Sequence, residues 1–165
     1  MVKRLLLLLM MFVAPAAMAC ECAEELTSEM ARKASNVFVF RVISLEVGEV
    51  DGTRYAVGKV RVIANVRGKT TAREIYYRTG WCCGISMSPG LDYIGFLSGD
   101  SEQFEVTTAT VLRIYMGQFD RREADELEAL LRGRKPLLEA FPFGPRAITR
   151  GWPHPPPCSV AEQGQ

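Results

Sequence analysis

The sequence predicts a mainly β fold: a five-stranded Greek-key barrel of the OB type, with one short helix before it and another helix after it. Five segments rich in β-branched and aromatic residues follow one another between residues 37 and 115, and turn-forming residues separate them. Five strands at short intervals suit a small Greek-key barrel. The alternative is an immunoglobulin-like sandwich, which requires about seven strands.

The strands are predicted from their apolar patterns. In the second one, apolar or small residues alternate from Ala56 to Val66, while the other face carries Lys59 and Arg61. Gly58 inside this strand indicates a bend or bulge of the kind that barrels need. The predicted strands cover residues 37–47, 55–67, 71–79, 91–97 and 103–115.

A helix is predicted on each side of the barrel. The first covers residues 23–35, and Thr27 or Ser28 can cap its N-terminus. The second begins after Asp120, because this N-cap residue and Glu123 three positions later form a capping-box pattern. This second helix is expected to end at the glycine at position 133.

The first nineteen residues have the layout of a secretory signal peptide. Two basic residues precede an uninterrupted apolar run at residues 5–13, and residues 17–19 form an A-x-A cleavage site. The apolar run is too short for a bilayer, which takes roughly 20 residues to cross. We therefore expect cleavage between Ala19 and Cys20 and a secreted or periplasmic protein. A lipid anchor at Cys20 is the alternative.

The chain then divides into three parts. Residues 1–19 are the signal peptide, and residues 20–133 form the barrel with its flanking helices. Residues 134–165 are rich in proline and glycine and lack periodicity, so a disordered tail is expected there.

All five cysteines lie after the expected cleavage point. Cysteines of secreted proteins tend to pair, because the compartment is oxidising. Bridges from Cys20 and Cys22 to Cys82 and Cys83 would fix the new N-terminus to the middle of the domain, and their connectivity stays open. Cys158 is then left over. Two alternatives are a redox disulfide within the Cys82–Cys83 pair and a four-thiolate metal site, although C-x-C and C-C spacings suit zinc poorly.

Charge and composition argue against several functions. The net charge of +1 falls to about −1 without the signal peptide, so nothing indicates a nucleic-acid surface. His154 is the one histidine, which argues against a His-rich metal site and a Ser-His-Asp enzyme. Phosphate-binding loops and nucleophile elbows are also missing from the sequence. We expect a protein that is not an enzyme and that needs no cofactor and no metal of its own.

Four short motifs, taken in order, resemble one known family. They are the start Cys20-Glu21-Cys22, the run VFVFRV at residues 37–42, the pair Cys83-Gly84 and the run GLDYIGF at residues 90–96. Together they resemble the netrin-type domain and, more narrowly, the tissue inhibitors of metalloproteinases and their bacterial relatives. The resemblance covers residues 20–115 and implies an OB barrel.

The resemblance also implies a partner and a mechanism. Inhibitors of this family chelate the catalytic zinc of a metalloprotease through the free amine and the carbonyl of their first residue, which here is Cys20. Their small second residue enters the specificity pocket of the protease; here it is Glu21, whose carboxylate fits only a pocket with a basic partner. Cys83 matches the family partner of the first cysteine.

This chain departs from the family in one further position. The family's third mid-chain cysteine, after the fifth strand, is missing here, and Cys82 is the candidate to replace it as the partner of Cys22. The alternative function is a non-inhibitory extracytoplasmic binding or scaffold module of the same fold, in which Cys20 forms a plain structural disulfide.

Overall fold

The computed structural model describes residues 24–79, 85–114 and 117–142 of the chain. Its strands are β1 (Asn36–Val50), β2 (Thr53–Arg67), β3 (Glu74–Arg78), β4 (Asp92–Leu97), β5 (Gln103–Glu105) and β6 (Val111–Arg113). Its helices are α1 (Ser28–Lys33), α2 (Arg121–Leu131) and α3 (Leu137–Ala140). The strands form one sheet in the order β5-β3-β2-β1-β4-β6. The prediction of a mainly β fold is therefore confirmed.

β1 and β2 form a long antiparallel hairpin with a tight turn. Val50 lies opposite Thr53, so only Asp51 and Gly52 connect the strands. Both residues have positive φ, 50° for Asp51 and 72° for Gly52. This is the backbone of a type I′ turn, for which an Asp-Gly pair is preferred because glycine carries no Cβ.

The sheet curls into a half-barrel because both of its edges come from one stretch of chain. β4 pairs with β1 and β3 pairs with β2, in both cases antiparallel. The edge strand β5 is parallel to β3, and the other edge strand β6 is antiparallel to β4. Only residues 106–110 separate β5 from β6 along the chain. A segment this short can join two sheet edges only if they lie close together.

The structure shows six strands in its described part, where the sequence predicted five. The predicted fifth strand, residues 103–115, is interrupted by a turn. In this turn Thr110 Oγ1 accepts a hydrogen bond from Thr107 N (2.9 Å) and donates one to Glu105 O (3.0 Å). The third strand starts at Glu74 instead of residue 71, and before it Thr71 N donates to Asp100 Oδ1 (2.8 Å).

Two cores lie on opposite faces of the curled sheet. The inner core contains four aromatic rings whose neighbouring centroids are 5.5–5.8 Å apart. These rings belong to Phe38, Phe40, Tyr93 and Phe104. The outer core lies between the sheet and the helices, and among its fully buried members are Val37, Val39, Ile94, Leu112, Leu127 and Leu130. β1 and β4 contribute alternate side chains to both cores, which explains why they are apolar on both faces.

The helices agree with the predicted caps and differ in extent. Thr27 Oγ1 accepts from Met30 N (3.2 Å), so α1 is shorter than the predicted helix at residues 23–35. Asp120 caps α2 as predicted. Helix α3 lies beyond the expected domain boundary at residue 133, where a tail was predicted. Its Leu137 is buried in the outer core, and Leu137 N donates to Ser28 Oγ (2.8 Å). The packed part of the chain therefore extends past that boundary, and residues 143–165 lie outside the described residues.

Candidate functional site

The predicted site residues lie outside the part of the chain that the structure describes. They are Cys20, Glu21, Cys22, Cys82 and Cys83, and the spare Cys158 is also outside. The described chain begins at Glu24, two residues after Cys22, and it borders the second cysteine segment at Thr79 and Ile85. These flanking residues are the described residues nearest in sequence to the predicted site.

The N-terminal flank is fixed to the turn between β5 and β6. Leu26 N donates to Thr108 O (2.9 Å), and Thr108 Oγ1 donates to Glu24 O (3.0 Å). The Leu26 side chain is buried in the outer core. The backbone two residues after Cys22 is thus held by a buried anchor and by two hydrogen bonds to one residue.

The flank after the second cysteine segment is held equally well. Ile85 N donates to Arg78 O (3.3 Å), and the side chains of Ile85 and Met87 are buried in the inner core. Ser88 N donates to Tyr93 Oη (2.9 Å). Burial raises the pKa of the Tyr93 hydroxyl.

β3 and β5 bring these two flanks into one region. Tyr76 lies opposite Glu105 in a parallel pair, and Val106 N donates to Tyr76 O (2.9 Å). Parallel strands run in the same direction, so their C-terminal ends lie at the same end of the sheet. The chain after Arg78 and the turn that holds Glu24 therefore both begin at that end. Three hydrogen bonds connect the two flanks: Thr108 to Glu24, Val106 to Tyr76, and Ile85 to Arg78. Successive bonds in this series are two residues apart along the chain.

The last residue of β3 is the exposed Arg78, two positions before residues 80–84 in the sequence. The guanidinium of Arg78 lies 6.0 Å from the centroid of the Tyr55 ring, within the range of a cation–π contact. Thr79 N donates to Arg54 O (2.9 Å), which keeps this end of β3 against β2.

The sequence reasoning missed one ion pair in the middle of the sheet, between the partly buried Arg41 and the buried Asp92. Arg41 Nε and Nη2 donate to the two carboxylate oxygens of Asp92 at 2.6 and 3.0 Å, and Asp92 Oδ2 also accepts from Phe119 N (2.9 Å). Burial opposes ionisation of Asp92, but the Arg41 and Phe119 hydrogen bonds prevail and lower its pKa. A carboxylate within the apolar run of β4 was the available signal. Its partner depends on the β1–β4 register, which one sequence does not specify.

Two further properties concern only the described residues. They contain no group of three or more His, Cys, Asp or Glu side chains that could hold a metal ion. None of the helices in residues 24–79, 85–114 and 117–142 is long and apolar enough to cross a membrane.

Comparison with known proteins adds no relative. No protein-family model matches the chain, and no curated protein matches it either. The likeness to the netrin-type domain and to the metalloproteinase inhibitors therefore rests on the ordered motifs of the sequence.

Proposed function

We propose that the protein is a secreted, disulfide-stapled inhibitor of zinc metalloendopeptidases that acts through the amine and the carbonyl of Cys20. One observation supports this most: the flanks of the two cysteine segments are anchored to the same region of the sheet. Glu24 is bonded to Thr108, and Ile85 is bonded to Arg78. Bridges between Cys20 or Cys22 and Cys82 or Cys83 would then join two segments whose described flanks are both bonded near the ends of β3 and β5.

The chemistry of the target explains why rigid flanks matter. A catalytic zinc keeps one position open for water or substrate, and a bidentate nitrogen and oxygen ligand can fill it. A mobile N-terminus would lose binding energy when it is ordered on the protease. Anchors two residues from Cys22 and two residues from Cys83 reduce this cost, provided that the disulfides form.

We also infer that the curled sheet is an OB-type barrel with a broken last strand. β5 pairs with β3 and β6 pairs with β4, and both strands run in the direction of β1. This pairing supports the inference, because the fifth strand of such a Greek-key barrel lies between the third and fourth strands, and residues 103–113 pair with β3 and with β4. A sandwich of two separate sheets is the alternative.

The zinc role is tested at the N-terminus of the mature protein. N-terminal sequencing and intact mass should first give a free amine on Cys20. The mature form and a form with one alanine before Cys20 are then assayed against a panel of zinc metalloendopeptidases with fluorogenic peptides. We expect the extension to weaken inhibition about a hundredfold, or roughly 3 kcal/mol. Equal inhibition by both forms, or a lipidated Cys20, would rule out chelation.

The disulfide arrangement is tested separately by peptide mapping of the unreduced protein. We expect the peptides with Cys20 and Cys22 to be joined to the peptide with Cys82 and Cys83, and Cys158 to be free for alkylation. A bridge within the Cys82–Cys83 pair would instead support the redox interpretation.

The second candidate function is a non-inhibitory binding or scaffold module. Glu21 favours it, because a carboxylate in an apolar specificity pocket is costly. The exposed apolar residues of the β1–β2 hairpin also favour it, since Val47 and Val50 are 68% and 63% exposed. Under this function the Ala-extended and the native forms would bind the same partner equally well and neither would inhibit a protease.

A further inference from the structure

The outer half of β1 has an open edge. β4 pairs with β1 only from Asn36 to Arg41, and the last contacts on this side are the hydrogen bonds between Val42 and the pair Gly90 and Leu91. A register shift follows between Val42 and Ser44. From residue 44 to residue 50, β1 pairs with β2 on one side and with no other described strand on the other side.

The hairpin register identifies the backbone groups along this edge. Val50 and Thr53 close the two-residue turn, so they form a hydrogen-bonded pair, and such pairs alternate with non-hydrogen-bonded ones along antiparallel strands. The backbone N–H and C=O groups of the non-hydrogen-bonded residues of β2 point away from β1. Arg54 illustrates this, because its carbonyl accepts from Thr79 N (2.9 Å) on the β3 side. The matching residues of β1 are Leu45, Val47 and Glu49, whose N–H groups have no partner among the described residues.

The edge lacks part of the usual protection against added strands. Natural edges are shielded by charged side chains, above all lysine, and by prolines, bulges or short length. The seven residues of this edge, SLEVGEV, include neither lysine nor proline, and their register with β2 is regular from Ser44 to Val50. Val47 lies exposed on one face of the edge and Val50 on the other, because side chains alternate along a strand.

The charges along the edge are acidic. Glu46 and Glu49 are both exposed, and they lie on opposite faces of the strand because they are three positions apart. Arg54 approaches Glu49 only to 3.7 Å, across the strand on the β2 side. A second copy of this edge, added as an antiparallel strand, would bring four carboxylates together, which opposes self-association.

We propose that this edge binds an extended segment of a partner protein that carries two basic residues three positions apart between apolar residues. The segment would add to the sheet as a strand, with its backbone bonded to Leu45, Val47 and Glu49. Its basic residues would lie beside Glu49 and Glu46, and its apolar residues beside Val50 and Val47. This inference concerns a surface apart from the cysteine segments and does not depend on zinc chelation.

The binding test uses the purified protein and the blocked peptide Thr-Val-Lys-Tyr-Val-Lys-Val-Thr. NMR measures the exchange of backbone amide protons with and without the peptide. We expect protection to rise at Leu45, Val47 and Glu49, whereas the amides of Glu46, Gly48 and Val50 are already bonded to β2 and stay unchanged. An equal change at all amides of residues 45–50, or no change, would overturn the proposal.

Charge specificity is tested by reversing the charges on the protein and on the peptide. The variant Glu46→Lys with Glu49→Lys should bind the peptide about tenfold more weakly, and it should prefer the peptide in which both lysines are glutamate. The double variant Asp125→Lys with Glu139→Lys makes the same charge change on exposed helix positions and should bind like the original protein. Equal binding by both variants would contradict the assigned charges.

The role of the open backbone is tested by a proline. Val47→Pro removes an N–H that gives no bond to β2, so the hairpin should persist while strand addition is lost. Val47→Thr keeps that N–H and should retain binding. Protection of the three outward amides in the protein without peptide would show that another segment of the chain or a second copy covers the edge, and sedimentation velocity then separates these two outcomes. Either one would overturn the proposal.

Discussion

At the scale of single residues, Asp92 links three parts of the fold. Its carboxylate bonds Arg41 of β1 and the backbone N–H of Phe119 before α2, and the side chain is only 2% exposed. Asp92→Asn removes the charge while Arg41 stays partly buried. We expect the free energy of unfolding to fall by about 2 kcal/mol, below the usual cost of breaking a fully buried pair because Arg41 still reaches water. Urea denaturation measures this, and Asp125→Asn, at an exposed helix position, is the control.

The same pair predicts a pH dependence with a defined sign. The pKa of Asp92 lies below its ordinary value of 3.8 in the folded protein. The contribution of the ionised Asp92 carboxylate to folding stability is therefore complete at pH values above the pKa of this group in the unfolded chain. It is lost as the pH falls through the lower pKa of the group in the folded protein. The stability difference between the original protein and Asp92→Asn should be constant from pH 5 to 7, as denaturation curves can verify, and should shrink below pH 3.8. A difference that grew at low pH would contradict the ion pair.

Gly95 is a second position at which a single added atom, a Cβ, is expected to change the stability of the protein. A Cβ there would lie 2.7 Å from Phe38 Cζ, and the Phe38 ring is fully buried among other aromatic rings. Gly95→Ala should therefore destabilise the protein by about 2 kcal/mol through overpacking. Gly99→Ala is the matched control, because an added Cβ at Gly99 has no heavy atom within 4 Å. Equal urea midpoints for the two variants would contradict the close approach.

At the scale of elements, the start of α2 depends on Asp120. Its Oδ1 accepts from Arg122 N (2.7 Å) and from Glu123 N (3.1 Å), which satisfies two backbone donors of the first turn. Asp120→Ala should lower the melting temperature by about 4 °C, as a lost N-cap does in a domain of this size. Asp120→Ser keeps an acceptor and should recover most of this loss in the same calorimetric measurement. Without such recovery the effect would not come from capping.

The turn between β5 and β6 depends on the hydroxyl of Thr110. This hydroxyl accepts from Thr107 N and donates to Glu105 O, so it takes the place of backbone pairing where the predicted strand is interrupted. Thr110→Val keeps the shape and removes both bonds, and we expect a loss of about 2 kcal/mol. Hydrogen exchange should also speed up at Leu26 N, whose acceptor is in this turn. Thr53→Val, at the hairpin end, should leave that exchange unchanged.

At the scale of the whole molecule, the sequence predicts what is encoded locally. The caps Thr27 and Asp120 and the strands β1, β2 and β4 follow from short patterns of polarity and turn residues. The break in the fifth strand does not, because residues 106–110 are rich in β-branched threonine and valine and only hydrogen bonds within the turn outweigh that preference. The Arg41–Asp92 pair and the open edge of β1 depend on strand order and register, which a single sequence leaves undetermined.

The proposed disulfides lead to a prediction about the stability of the whole domain. Cys82→Ser with Cys83→Ser removes both bridges. The first bridge closes a loop of about 60 residues, which corresponds to about 4 kcal/mol, and the second one, formed beside it, closes only a few further residues and adds less. Urea denaturation of this variant should match that of the reduced original protein, while Cys158→Ser should change nothing. The curled sheet has two cores of its own, so the variant should still fold in the absence of urea. If reduction left the denaturation midpoint unchanged, the two cysteine segments would not be cross-linked by disulfides. The N-terminus would then lack the rigidity on which the proposed zinc chelation depends.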